Sequence, residues 1–150
     1  MYRRQNATLE VFLVHPGGPF WAKKDLGSWT LPKGEYAEGE EPLAAARREF
    51  VEETGFLADG DFIDLGTIKQ AGGKLVRAWA FEGDCDPAAL ISNQFQMEWP
   101  PRSGRLAEFP EVDRGAWFSL ADAREHILVT QQPILSLLMD RLAQKVDTTT

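Results

Sequence analysis

The chain has 150 residues, a formal net charge of −7 and a pI of about 4.8, and 43% of its residues are hydrophobic and 26% charged. These values are typical of one soluble globular domain and exclude a disordered or fibrous chain. The acidic balance argues against a long nucleic acid as partner, because binding a polyanion requires a basic face. A small polyphosphate remains compatible, since local basic side chains and a bound cation can reverse the charge of one site.

Cysteine usage and hydropathy indicate the compartment. Cys85 is the only cysteine, so the chain can form no intrachain disulfide and no thiol cluster for zinc. No run approaches the roughly 18 apolar residues of a membrane span, and the first ten residues lack the apolar core of a signal peptide. We therefore expect a cytoplasmic protein without a membrane partner.

The first half of the chain predicts a buried strand, a long loop and a helix. The apolar run "LEVFLVHP" at Leu9–Pro16 is typical of a buried strand. Residues 17–29 mix glycine, proline and charge without periodicity, which predicts a long loop, and such loops are often functional in compact domains. Pro42 can open a helix that runs to about Thr54, with Gly55 as its C-terminal cap.

The second half predicts a hairpin, two further strands and two helices. The segments "FIDLGTIKQ" and "KLVRAWAFEGD" flank an "AGG" turn, "PAALIS" predicts a short helix, and "QFQMEWP" and "VDRGAWFSL" predict strands. Ser119 caps a helix that runs towards His126, Pro133 opens a last amphipathic helix, and residues 146–150 form a frayed tail. This order of elements predicts an α/β (α+β) fold in one domain over residues 1–150, with a mixed sheet and helices on both faces.

Three carboxylates crowd the C-terminal turns of the first predicted helix. Glu49, Glu52 and Glu53 oppose the helix dipole there, and Glu49 and Glu53 are a repulsive i,i+4 pair. Helical geometry projects the three side chains into one sector of roughly 100°. A solvated charged face is one interpretation. A site for a hard divalent cation such as Mg²⁺ or Mn²⁺ is the other, because these ions prefer clustered oxygen ligands.

The string "GEYAEGEEPLAAARREFVEETGF" at residues 34–56 favours the second interpretation. It matches the pattern Gly-x5-Glu-x7-Arg-Glu-U-x-Glu-Glu-x-Gly-U at every fixed position, with Phe50 and Phe56 as the bulky apolar residues U. This pattern resembles the Nudix box, the signature of the Nudix hydrolase superfamily. The resemblance implies an α/β/α sandwich, and "MYRR" would then enter the first strand of that fold in its middle.

The resemblance also implies a reaction and roles for residues. Nudix enzymes use a metal-activated water to cleave a diphosphate bond in a nucleoside diphosphate linked to another group. Arg48 would orient the carboxylates through a bidentate contact with Glu40, and Gly55 would close the motif. The implied ligands of Mg²⁺, or of Mn²⁺, are Glu49, Glu52, Glu53 and the backbone carbonyl of Gly34.

The resemblance leaves the general base open between two positions. Superfamily members place this group on a glutamate of the box or on a carboxylate from a later loop, so Glu52 is the first candidate and Glu111 the second. Glu98 and Glu108 are weaker candidates. For each of the later glutamates, plain surface charge is an equally good interpretation.

The substrate is predicted from the residues just before the box. "SWTLPKGEY" resembles the corresponding segment of diadenosine polyphosphate hydrolases, which favours a dinucleoside polyphosphate. Nucleoside triphosphates and ADP-sugars are alternatives, and a non-catalytic nucleotide-binding module is a third. Lys33 would contact a phosphate remote from the cleaved bond. Further predicted substrate contacts are the cations Lys74 and Arg77 and the base-stacking rings Trp21, Trp29 and Tyr36. The sequence leaves a monomer and a homodimer open.

Overall fold

The protein is described by a computed structural model that covers residues 1–33, 39–69 and 71–147. Within these residues the chain forms strands and helices in the order strand, strand, helix, five strands, helix, helix. The strands are β1 (Tyr2–Gln5), β2 (Thr8–Pro16), β3 (Ile63–Lys69), β4 (Leu75–Ala80), β5 (Gln94–Glu98), β6 (Leu106–Pro110) and β7 (Val112–Ser119). The helices are α1 (Pro42–Thr54), α2 (Leu120–His126) and α3 (Gln132–Asp147).

The strands form a central sheet and two hairpins. β2 pairs antiparallel with β1 on one side and with β7 on the other, and the β2–β7 register shifts at Pro16. β3–β4 and β5–β6 are antiparallel hairpins. Tyr2 also forms a parallel bridge to Glu82, beyond the end of β4. Within the described residues all pairs between these strands are antiparallel, and parallel pairing is limited to isolated bridges such as this one.

Both faces of β2 are buried, which explains why its sequence is a continuous apolar run rather than an alternating one. Val11 and Leu13 belong to a core cluster that includes Leu135 and Leu138 of α3. Phe12, from the opposite face, packs edge-on against Phe56 just beyond α1, with ring centroids 6.1 Å apart. Helices therefore lie on both sides of the sheet, and the predicted fold class is confirmed.

Local signals set the two ends of α1. At the start, the Glu41 side chain accepts hydrogen bonds from the backbone N–H groups of Leu43 and Ala44, and Pro42 occupies the first turn. At the end, Gly55 adopts a left-handed conformation with φ of 76° and donates its N–H to the Val51 carbonyl. The helix has the bounds that the sequence predicts.

A short main-chain bridge joins the end of α1 to the start of β7. The Asn93 N–H donates to the Glu52 carbonyl at 2.8 Å, and the Asn93 carbonyl accepts from the Glu111 N–H at 2.9 Å. The Ile91 N–H donates to the Thr54 carbonyl at 2.9 Å. Backbone hydrogen bonds therefore place Glu111 beside the carboxylates of α1.

A buried histidine fixes the long loop that follows β2. His15 has no exposed surface, and its Nε2 lies 2.7 Å from the Lys24 carbonyl. Its Nδ1 lies 2.9 Å from the Asp113 carboxylate on β7. The loop is thereby held against the strand that follows Glu111.

Two predicted elements differ in detail, and one strand was not predicted. "PAALIS" contains a 3-10 turn at Pro87–Ala89 rather than an α-helix, and the sequence did not predict β6. α3 starts one residue before Pro133 and includes residues 146 and 147, which the sequence placed in the tail. Residues 148–150 lie outside the described ranges. None of the described helices is long and apolar enough to cross a bilayer.

Replacing Gly55 with alanine should destabilise the fold more than replacing Gly27. Both glycines are left-handed, with φ of 76° and 69°, so alanine at either costs about 1 kcal/mol of backbone strain. At Gly55 the new Cβ would also lie 3.0 Å from the Ile91 carbonyl oxygen, whereas at Gly27 no heavy atom lies within 4 Å. Urea unfolding of both variants measures the difference, and equal losses would show that the Ile91 segment yields freely.

Candidate active site

Arg48 holds the acidic end of α1 together. Its Nε and Nη2 donate to the two carboxylate oxygens of Glu40 at 2.9 and 3.0 Å, which is the bidentate contact that the sequence predicts. Its Nη1 donates to Glu49 at 2.9 Å and to Glu52 at 3.2 Å. These contacts raise the pKa of the guanidinium still further above its ordinary value. One cation thus offsets the repulsion among three carboxylates.

Glu53, the third carboxylate at this end of α1, is held by a main-chain contact. The residue is only 8% exposed, and its carboxylate accepts a hydrogen bond from the Lys33 backbone N–H at 2.9 Å. Burial raises the pKa of Glu53 to about 7, with the Lys33 hydrogen bond opposing the shift and the charge of Glu111 adding to it. Burial therefore disfavours the charged form of Glu53, and the protein compensates this cost only in part.

Glu111 completes a group of four carboxylates. Burial raises the pKa of Glu111, and the charge of Glu52 raises it further. Burial likewise raises the pKa of Glu49, despite its hydrogen bond to Arg48. The Asn93 side chain satisfies its neighbours when its amide nitrogen faces Glu111 and Glu52. In that orientation it donates to the Glu111 carboxylate at 3.2 Å and to the Glu52 carbonyl at 3.1 Å. The late candidate for general base thus lies next to the early one.

The chemistry of these side chains suits a hard divalent cation. Oxygen ligands are what Mg²⁺ and Mn²⁺ prefer, and the raised pKa values of Glu49, Glu53 and Glu111 indicate a site where added positive charge is favourable. In the described ranges, however, no three acidic, histidine or cysteine side chains converge as bound ligands do. The Gly34 carbonyl, predicted as a further ligand, lies outside those ranges.

A cleft of about 810 Å³ runs between α1, β4 and the loop after β2. Glu53 and Glu111 line it, together with the predicted phosphate contacts Lys33, Lys74 and Arg77. Arg77 also donates to Asp64 at 2.8 Å. The fold therefore brings three predicted cations and two predicted acidic residues to one cavity of the size of a small-ligand site.

The prediction that Trp29 stacks on a base is wrong. Its ring is 4% exposed, belongs to the main core cluster, and donates its indole N–H to the Asp25 carboxylate at 2.8 Å. Tyr36, the other predicted stacking residue of this region, lies outside the described residues. Trp21 lines the cleft instead.

The structure also separates the candidates for general base. Glu98 and Glu108 lie on the β5–β6 hairpin and are not among the residues that line the cleft. Glu108 accepts a hydrogen bond from Gln96 at 3.2 Å across that hairpin. Glu52 also lies outside that lining, but its charge raises the pKa of Glu111, so the two carboxylates are neighbours. This leaves Glu52 and Glu111 as the two candidates in the carboxylate group.

The sequence analysis missed Trp79 and Asn93. Trp79 lines the cleft from β4, and its position two residues after Arg77 in a strand could have indicated this, since such residues share a face. No local signal marks Asn93, because its role depends on contacts with Glu52 and Glu111, which are distant in the sequence.

Comparison with known proteins identifies the family. The sequence model of the NUDIX domain matches residues 1–138. The chain belongs to the Nudix domain family. The predicted enzyme class, a Nudix pyrophosphohydrolase, is supported by this membership and by the relatives described next.

The Nudix chain resembles two bacterial proteins named RNA pyrophosphohydrolase. The protein from Brucella anthropi is 31% identical over 133 residues, which cover 77% of this chain and 69% of the relative. The protein from Agrobacterium fabrum is 33% identical over 102 residues, which cover 57% of this chain and 55% of the relative.

Solved structures confirm the Nudix fold. The NUDIX domain of Shewanella oneidensis NrtR, complexed with ADP ribose, has a TM-score of 0.62 at 20% identity, covering 94% of this chain and 82% of that one. A binary complex of an Ap4A hydrolase from C. elegans has a TM-score of 0.60 at 23% identity, covering 95% of this chain and 93% of that one.

Replacing Glu53 with glutamine should change how stability depends on pH. Glu53 titrates near 4.5 when unfolded and at about 7 when folded, so the folded state keeps a proton between these values that the unfolded state has lost. The free energy of unfolding of the wild type therefore falls as pH rises through this window, and above the window this loss of stability stays constant. Because a glutamine side chain does not titrate, the Glu53→Gln variant should gain about 1–3 kcal/mol on wild type between pH 5 and pH 8.

Urea unfolding in EDTA at the two pH values measures this difference. The Glu98→Gln variant, which removes an exposed carboxylate outside the cleft, controls for the loss of one negative charge. A pH-independent difference between the Glu53→Gln variant and wild type would show that the Glu53 carboxylate is not strained by burial.

Proposed function

We propose that this Nudix enzyme hydrolyses a diphosphate bond in a dinucleoside polyphosphate, with Mg²⁺ or Mn²⁺ as cofactor. The observation that carries the proposal is the placement of Glu53 and Glu111 in the same cleft as Lys33, Lys74 and Arg77. The acidic residues suit a divalent cation, and the basic ones suit a chain of phosphates longer than the two at the cleaved bond. The single free cysteine suits a cytoplasmic enzyme.

Each residue has a role that its contacts support. Glu49, Glu52 and Glu53 would supply oxygen ligands for the cation, and Arg48 holds the first two in place through its hydrogen bonds to them. When bound, Mg²⁺ neutralises phosphate charge and makes a coordinated water more acidic. The Lys33 backbone N–H orients Glu53, and Lys33 lines the cleft, where its ammonium can contact a phosphate.

A carboxylate must accept the proton of the attacking water. Glu52 is the first candidate because it belongs to the box and borders Glu111 and Arg48. Glu111 is the second, because burial and the charge of Glu52 both raise its pKa, which strengthens it as a base. The water oxygen then bonds to phosphorus as the bridging oxygen leaves with the other phosphate group.

A second candidate substrate is the 5′-polyphosphate end of an RNA. Two relatives at 31% and 33% identity carry the name RNA pyrophosphohydrolase, which favours it. The net charge of −7 opposes it, because a long RNA gains affinity from a basic surface. Nucleoside triphosphates and ADP-sugars offer shorter or less charged phosphate chains to the three cations of the cleft. We therefore place them third.

Competition among substrates tests the proposal. The pure protein is incubated in ¹⁸O-water with diadenosine tetraphosphate, ADP-ribose, dGTP, ATP and a 5′-triphosphorylated oligoribonucleotide, with Mg²⁺ or with EDTA. Mass spectrometry should show diadenosine tetraphosphate consumed first, as AMP and ATP, and only with Mg²⁺, while the label identifies the attacked phosphorus. Preferential consumption of the oligoribonucleotide would replace the proposed substrate with RNA, and consumption in EDTA would remove the metal from the reaction.

Replacing Glu52 with glutamine should lower kcat by about 10²–10⁴-fold, because glutamine cannot accept the proton of the attacking water. Circular dichroism should show an unchanged fold. The Glu98→Gln variant should keep wild-type turnover, since Glu98 is an exposed residue of the β5–β6 hairpin rather than of the carboxylate group at the end of α1. Full activity in the Glu52→Gln variant would refute this assignment, and the Glu111→Gln variant then tests Glu111 as the base.

A further inference from the structure

Two tryptophan residues line the cleft, and a cation lies over the ring of each of them. Trp21 belongs to the loop after β2, and the Lys24 ammonium lies 4.8 Å from the centroid of its ring. Trp79 belongs to β4, and the Arg77 guanidinium carbon lies 5.0 Å from the centroid of its ring. The two pairs come from different elements that border one cavity.

These two rings differ from the tryptophans that have a structural role. Trp29 and Trp117 donate their indole N–H groups, to the Asp25 carboxylate and to the Cys85 carbonyl. Among the described residues, none accepts a hydrogen bond from the indole N–H of Trp21 or Trp79, and both rings are only half-buried. Structural packing therefore leaves part of both rings and both indole donors available to a ligand.

We infer that Trp21 and Trp79 are two separate stacking surfaces for the two nucleobases of a dinucleoside polyphosphate. Nucleobases stack on aromatic side chains and on guanidinium planes, whatever the base. In each pair the adjacent cation can also neutralise the phosphate nearest to that nucleoside. This inference rests on the proposed function and names the part of the substrate that each ring contacts.

The inference separates ligands by the number of nucleobases that they carry. A dinucleoside polyphosphate carries a base at each end of the phosphate chain and can occupy both surfaces. A mononucleotide carries one base and can occupy one of them. Inorganic tripolyphosphate carries none and should be insensitive to both rings.

Binding measurements without turnover test the inference. The ligands are methylene-bridged analogues of diadenosine tetraphosphate and of ATP, and inorganic tripolyphosphate, titrated calorimetrically with Mg²⁺ present. Trp21→Leu and Trp79→Leu keep an apolar side chain but remove the aromatic face, whereas the Trp→Phe variants keep a face. Trp99→Leu is the matched control, because Trp99 packs edge-on against Phe20 at 5.6 Å and is not among the residues that line the cleft.

Each leucine variant should bind the dinucleotide analogue about tenfold more weakly than wild type, and the phenylalanine variants should keep most of the wild-type affinity. Only one of the two should weaken the ATP analogue, and neither should change the affinity for tripolyphosphate by more than about twofold. The inference would be overturned if either leucine variant bound the dinucleotide analogue with wild-type affinity. It would also be overturned if the leucine variants lost as much affinity for tripolyphosphate, or if the Trp99→Leu variant lost as much affinity for the dinucleotide analogue. Hydrolysis in the substrate competition is measured independently, so either result can fail while the other stands.

Discussion

The site depends on one guanidinium that faces several carboxylates at once. Without Arg48, Glu49 and Glu52 would repel each other at the end of a helix whose dipole already disfavours them. The bidentate contact fixes the plane of the Arg48 head group against Glu40, which precedes the helix, so the third nitrogen points along the helix surface towards the two glutamates. A lysine could supply the positive charge at this position but not the planar set of N–H donors that lets one side chain bond to three carboxylates.

Main-chain hydrogen bonds extend that order to Glu111. Asn93 bonds with its backbone to both Glu52 and Glu111, so the backbones that carry the two candidate bases are held at a fixed separation. Glu53 is positioned similarly, by the backbone N–H of Lys33. The acidic residues are therefore held before any ligand binds, which reduces the reorganisation that the reaction requires.

Much of the fold and the box could be predicted because their signals are local. Pro42 and Gly55 mark the ends of α1 by their own backbone preferences, and the Arg48–Glu40 contact follows from the spacing of the box. β6 could not be predicted in this way, because "LAEFP" contains no β-branched residue and is a strand only through its pairing with β5. Trp21 and Trp29 belong to the same loop region, and only the long-range packing of Trp29 against the core cluster decides which of them reaches the cleft.

His15 divides the loop after β2 into an anchored end and a part that lines the cleft. The histidine fixes the loop at Lys24 and ties that point to β7, while Trp21 lies on the part of the loop between the end of β2 and this anchor. Residues 18–23 can consequently change in sequence or length without moving the strand that follows Glu111. A chain built in this way can acquire a new preference for the organic part of its substrate by exchanging one short surface segment, while the groups that break the phosphorus–oxygen bond remain in place.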